Sequence, residues 1–148
     1  MDWTSQAGNV RDQGLCGACY IFAPVQNLEA LVAIHTLGFH IELSIQQILD
    51  CDFGFSLGCS GGYLEGPFNF MEVNGIETEF IYPYTSGGNS ETGECRSTNG
   101  PYKIRSFRGL TSGDCNALQT ALASKPMTVG ITGTQLQLYS EGIFNACD

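Results

Sequence analysis

The sequence predicts an α+β chain in which helices come first and strands begin late: a helical domain over residues 1–106, then the start of a β-rich one over residues 107–148. Three observations carry that prediction. Apolar residues recur at helical spacing from Cys19 to about Leu37. Ser44, with Gln47 three residues on, announces a second helix. After about Phe107 the character changes, and Met127 to Thr132 alternates in the manner of a strand.

The first helix places Phe22, Val25, Leu28, Val32 and Ile34 on a buried face, and Gly38 stops it. Pro24 lies beyond the first turn, where it removes a backbone hydrogen bond, so a tight or distorted first turn is expected. The second helix starts at Ser44 with a capping box to Gln47 and a hydrophobic staple of Leu43 and Ile48, and it leads into Asp50-Cys51. Residues 52–66 are rich in glycine and serine. A short apolar helix follows from Pro67 to Val73, closed by Gly75. Tyr82 to Tyr102 reads as loop, broken by Pro83, Gly87, Gly88, Gly93, Gly100 and Pro101. Asp114 caps a fourth helix through Ala117, Leu118, Ala121 and Leu122. No internal repeat or low-complexity segment is present.

Composition narrows the partners. With 43% hydrophobic residues in 148, the chain can bury a core, and disorder is excluded. A net charge of -9 with six basic residues leaves little to neutralise phosphates, which argues against nucleic acid and anionic membranes. No apolar run spans a bilayer. Seven cysteines suggest an oxidising compartment and disulfides. Structural zinc is disfavoured, because there are only two histidines, His35 and His40, and no second tight CxxC. Met1 to Asn9 carries no signal-peptide pattern, which conflicts with the cysteine content. A region preceding Met1 resolves the conflict, so the chain reads as incomplete at its start.

A cysteine becomes nucleophilic where its thiolate is stabilised, and a helix start does this through unpaired N–H groups and the positive end of the dipole. Cys19 occupies such a start. Gln13, six residues earlier, can aim its side-chain amide at the same point and, with the backbone N–H of Cys19, form an oxyanion hole. Gly14 and Gly17 let the intervening loop turn sharply and approach a substrate.

The run Gln13-Gly14-Leu15-Cys16-Gly17-Ala18-Cys19-Tyr20-Ile21-Phe22 resembles the nucleophile segment of the papain and cathepsin family of cysteine peptidases. Asp2-Trp3, Leu43-Ser44 with Gln46 to Cys51, Gly58-Cys59-Ser60-Gly61-Gly62, Tyr82-Pro83-Tyr84, Gly100-Pro101-Tyr102 and Leu138 to Phe144 occur in the family's order. Several blocks in one order are far more specific than a single motif. The resemblance implies a papain-like two-domain fold, its helical left domain essentially complete and its β-barrel right domain only begun. It implies Cys19 as nucleophile and Gln13 as oxyanion donor. Gly17, Gly61 and Gly62 would meet the backbone of an extended substrate, and Tyr63, Leu64 and Gly130 would line an apolar pocket for the residue two before the scissile bond. Disulfides Cys16–Cys59 and Cys51–Cys95 follow by resemblance. Cys147 would await a partner beyond Asp148, and Cys115 matches no family bridge. Peptide or protein substrates, a prosegment and cystatin-like inhibitors are the implied partners of a monomer without cofactor or metal, in a lysosomal, vacuolar or secreted setting.

Thiol acyl transfer also needs a base, which in this family is a histidine oriented by an asparagine, both downstream of the segment present here. His35 is sixteen positions after Cys19, about 24 Å along a helix axis, and His40 is farther. The 148 residues alone are therefore expected to bind peptide weakly and to cleave nothing. Two departures stand out: Tyr20 in place of the family's tryptophan, and Pro24 in the nucleophile helix. Two other readings stay open. One is an inactive, peptide-binding homologue. The other takes Cys16 and Cys19 as a CxxC pair of a thiol–disulfide oxidoreductase, although no strand precedes Gln13 as such a motif requires.

Overall fold

The computed structural model describes residues 2–54, 56–131 and 133–142. Its longest element, α1 (Cys19–His35), runs through the middle of the core, with Ile21, Val25, Leu28 and Ala33 buried along it. The first turn is tight, as Pro24 led us to expect: the N–H groups of Ile21 and Phe22 both reach the carbonyl of Ala18, at 2.8 and 3.1 Å. Pro24 is the sixth residue of α1 and has no N–H for the carbonyl of Tyr20, yet the helix continues unbroken past it. α1 ends two residues before Leu37. The Thr36 hydroxyl and N–H both return to the Val32 carbonyl, and Gly38, at φ +99°, donates to the carbonyl of Ala33.

The second helix, α2 (Ile45–Cys51), is buried over its whole length. Ser44 caps it, its Oγ accepting from the N–H of Gln47 at 3.0 Å. Leu43 and Ile48, the expected staple, are both fully buried in the one core cluster. The reciprocal half of the capping box does not form. Gln47 instead accepts from Glu77 N–H and donates to the carbonyls of Ser97 and Asn99, and Ser44 N–H goes to the Glu77 carbonyl. A buried amide with four hydrogen-bonding sites is worth more as a bridge to two loops than as a local cap.

α3 (Glu65–Val73) begins two residues before Pro67, which is tolerated in a first turn, and ends ahead of Gly75 at φ +77°. Its Phe70 and Met71 join Ile45, Ile48 and Ile76 around α1. The fourth helix, α4 (Cys115–Leu122), is capped by Asp114, whose carboxylate accepts from Ala117 N–H at 2.9 Å. It buries none of its residues.

One expectation fails. Residues 127–131 form no strand, and Thr132 lies outside the described residues; among those described, only isolated bridges occur, at Leu43–Thr78, Ser56–Gly62 and Ile76–Tyr102. Alternating side chains define two faces, but a strand exists only when a neighbour completes its ladder, and no such neighbour is present among the described residues. From Gly87 to Ile131 no residue is fully buried. Residues 87–104 are tied to α2 and α3 by the Cys51–Cys95 disulfide, the Gln47 bridge and the bond from Ile104 N–H to the Met71 carbonyl, whereas from Phe107 onward the chain is attached to the earlier part by single contacts. Trp3 donates to the Leu122 carbonyl, Asn27 to that of Pro126 and Thr128 to that of Ala23, while Phe107 stacks on Phe68 with ring centres 5.3 Å apart.

Candidate active site

Cys19 is the first residue of α1, and its thiol is free and exposed. A first-turn N–H has no acceptor within its own helix, so the backbone N–H of Cys19 is available to a ligand beside the sulfur. Cys16, three residues earlier, is wholly buried and bonded to Cys59, while Cys51 is bonded to Cys95. The CxxC pair is thus not a disulfide, which removes the bond that an oxidoreductase reading requires. Cys115 is the second free thiol of the described residues, and Cys147 lies outside them.

The loop that brings Gln13 to Cys19 is held from behind. Gly14 takes φ +63°, and a Cβ there would lie 2.2 Å from the Gly87 carbonyl oxygen, so both conformation and space call for glycine. Leu15 N–H donates to that same carbonyl at 2.8 Å, and the Tyr84 hydroxyl donates to the Gln13 carbonyl at 2.8 Å. These bonds use only the main chain of Gln13. Among the described residues nothing hydrogen-bonds its side-chain amide, and Gln13 and Cys19 line one open groove of about 580 Å³ with Phe22, Ala23 and Gln26.

Arg11 anchors the same loop. Its guanidinium donates to the Leu43 carbonyl at 3.0 Å, pairs with Glu29 of α1 at 2.7 Å and approaches Glu79 at 3.7 Å. Burial pushes the Glu29 carboxyl up to about 7, against the opposing pull of the Leu43 N–H and Arg11. Burial raises Glu79 as well, opposed by the Tyr84 N–H and Arg11. Our reading of the sequence missed this cluster. Its one signal was that Arg11 is the only lysine or arginine before residue 96.

The facing wall is the segment 56–64. Gly17 fastens it to the nucleophile loop, donating to the Cys59 carbonyl at 2.8 Å, and a Cβ on Gly17 would meet that oxygen at 2.7 Å. Gly61 takes φ +110°, and Gly62 lies on the ring of buried Tyr20 so closely that a Cβ would sit 2.4 Å from it. Leu64 and Gly130 meet at a second cavity of about 510 Å³, together with Leu28, Phe68 and Met127; Tyr63 does not line it and is 73% exposed. His35 ends α1 at the far end from Cys19, and both histidines are exposed.

Residues 1–148 match the family described as papain family cysteine protease. A thiol protease of Hemerocallis sp. is 36% identical over 97% of the chain, and cysteine proteinase 3 of Dictyostelium discoideum is 37% identical over 97%. The chain spans 41% and 44% of the length of these two relatives. Among solved structures, procathepsin L 3 of Tenebrio molitor superposes with a TM-score of 0.82 at 30% identity, covering 99% of the chain and 49% of that protein. Bromelain of Ananas comosus, in complex with the E64 inhibitor, superposes with a TM-score of 0.84 at 28% identity, covering 99% and 68%. The fold is papain-like.

Proposed function

Because the chain belongs to the papain family of cysteine proteases, we propose that it is the nucleophile-bearing part of an endopeptidase, with Cys19 as nucleophile and Gln13 as oxyanion donor. The observation that carries this is a free, exposed Cys19 at the start of α1, sharing one groove with an unengaged Gln13 amide. In the proposed reaction the Cys19 thiolate attacks the scissile carbonyl carbon. The carbonyl electron pair moves to oxygen, where the Gln13 amide and the Cys19 N–H stabilise it. Collapse breaks the carbon–nitrogen bond, the base protonates the leaving amine, and water then hydrolyses the thioester to restore the thiol. Neither His35 nor His40 can be that base, since both stand at the other end of α1, so a histidine outside these 148 residues supplies it.

The substrate lies extended along Gly17, Gly61 and Gly62, and an apolar side chain enters the cavity at Leu64 and Gly130. We take residues 1–106 as the helical domain and 107–148 as the start of the second, a division supported by the core cluster, whose last packed residue is Ile104. A prosegment or cystatin-like inhibitor would cover the same cleft. Two disulfides support an oxidising setting, lysosomal, vacuolar or secreted, for a monomeric enzyme.

The test uses the protein expressed from its natural reading frame. A peptidyl epoxide should modify Cys19 alone, and Cys19→Ala should abolish both labelling and peptide hydrolysis. Gln13→Ala should lower kcat about 100-fold with KM little changed. Peptide binding without labelling or hydrolysis would identify an inactive homologue and overturn the proposal.

A further inference from the structure

We propose that Tyr20 and Ser56 are positioning residues that fix the Gly61–Gly62 wall relative to the Cys19 thiol. This role presupposes the peptidase reading above. Tyr20 directly follows Cys19 in the first turn of α1 and is 4% exposed. Its ring packs beneath Gly62, the residue proposed to meet substrate backbone. Its hydroxyl contacts the Ser56 hydroxyl and donates to the Gly58 carbonyl at 3.1 Å, and Gly58 N–H donates to Ser56 Oγ at 2.9 Å.

Hydrogen counting fixes the direction of each bond. The Gly58 carbonyl can only accept, so the Tyr20 proton goes to it, and the Ser56 proton goes to the Tyr20 oxygen. Gly58 N–H closes the circuit on Ser56 Oγ. Three donors and three acceptors close a ring, and the Gly58 carbonyl also accepts the Gly61 N–H at 3.3 Å. The bridge Ser56–Gly62 and the bond from Leu57 N–H to the Gly61 carbonyl, at 2.9 Å, then carry that anchor directly to the two glycines.

A phenyl ring at position 20 fills the space under Gly62 but removes one donor and one acceptor, leaving the Ser56 proton without a partner and the Gly58 carbonyl with the Gly61 N–H alone, at 3.3 Å. An indole offers a donor and no acceptor, so it cannot close the ring either. Tyrosine at position 20 is thus coupled to serine at position 56. The pair makes a hydrogen-bonded support that spans 36 residues of sequence. Cys16–Cys59 already ties the wall to the nucleophile loop, so the ring governs fine placement of the wall and not its attachment.

The experiment compares Tyr20→Phe, Ser56→Ala and the double variant in the protein expressed from its natural reading frame. Three readouts are taken: kcat and KM for a dipeptidyl substrate, the rate of Cys19 alkylation by iodoacetamide, and melting temperature. Each single variant should raise KM about tenfold, the size expected for one lost hydrogen bond aligned with substrate pairing. kcat and alkylation should stay within about twofold, because iodoacetamide makes no contact with the wall. The double variant should be no worse than either single one, since either change opens the same ring. Unchanged KM, additive effects, or a parallel fall in kcat and alkylation would overturn the inference. A protein with no turnover before substitution would bring down the peptidase reading and this inference together, whereas turnover with unchanged KM in both single variants brings down this inference alone.

Discussion

Replacing Glu29 by glutamine should flatten the pH dependence of stability in the acidic range. Glu29 is 4% exposed on α1, and Arg11, Glu42 and Glu79 are the charged groups acting on it. Its carboxyl is raised from an ordinary value of 4.5 to about 7, burial outweighing the Leu43 N–H and the Arg11 guanidinium. Between those two values the folded chain binds more protons than the unfolded one, so stability falls as pH rises. The contribution is fully present below 4.5 and lost as pH rises through about 7. At about 1.4 kcal/mol per pH decade the whole interval corresponds to about 3 kcal/mol. Glu79 is raised by burial too and acts in the same direction. Glutamine keeps an acceptor for the Leu43 N–H and for Arg11 but cannot titrate. Urea unfolding of the chain in steps from pH 4 to pH 8 should show a falling midpoint in the parent and a much shallower fall in Glu29→Gln. Identical slopes, or a parent that gains stability with rising pH across this window, would refute the assignment and show that the ion pair outweighs burial.

Two further perturbations test the framework. Removing Cys16–Cys59 as a double serine variant opens a loop spanning 43 residues and should cost about 4 kcal/mol on chain-entropy grounds, read from chemical unfolding. Gly14→Ala forces a Cβ to within 2.2 Å of the Gly87 carbonyl at a positive φ; it should cost about 2 kcal/mol or more and, in an active enzyme, lower kcat by displacing Gln13.

What was legible in the sequence was local chemistry. Ser44, Asp114 and Gly38 each act on groups within a few residues, so their roles could be read from neighbours alone, and the helices they bound are present. The family resemblance supplied the fold and the candidate nucleophile, because its blocks follow one another over nearly the whole chain. Arrangements between distant residues stayed invisible. Arg11 and Glu29 are 18 residues apart and Tyr20 and Ser56 are 36 apart, with no pattern that joins them. Tyr20 read as a mere aromatic replacement because a sequence does not show which groups its hydroxyl reaches. Gln47 was correctly placed at the head of a helix, but its side chain bonds to Glu77, Ser97 and Asn99 instead of reaching back to the N–H of Ser44. Met127 to Thr132 misled because alternation specifies faces and says nothing of a pairing neighbour.

Cys16 and Cys19 are three residues apart, yet one sulfur is sealed in the core as half of a bond and the other is an exposed thiol. That contrast gives the two sites different redox lives. Thiolate exchange requires access to the sulfur under attack. A mild reductant can therefore reach an oxidised Cys19 and return it to the thiol while leaving the Cys16 bond intact. Peroxide reaches the exposed Cys19 for the same reason, and oxidation that stops at the sulfenic acid is reversed by thiols without loosening the framework that holds the residue in place.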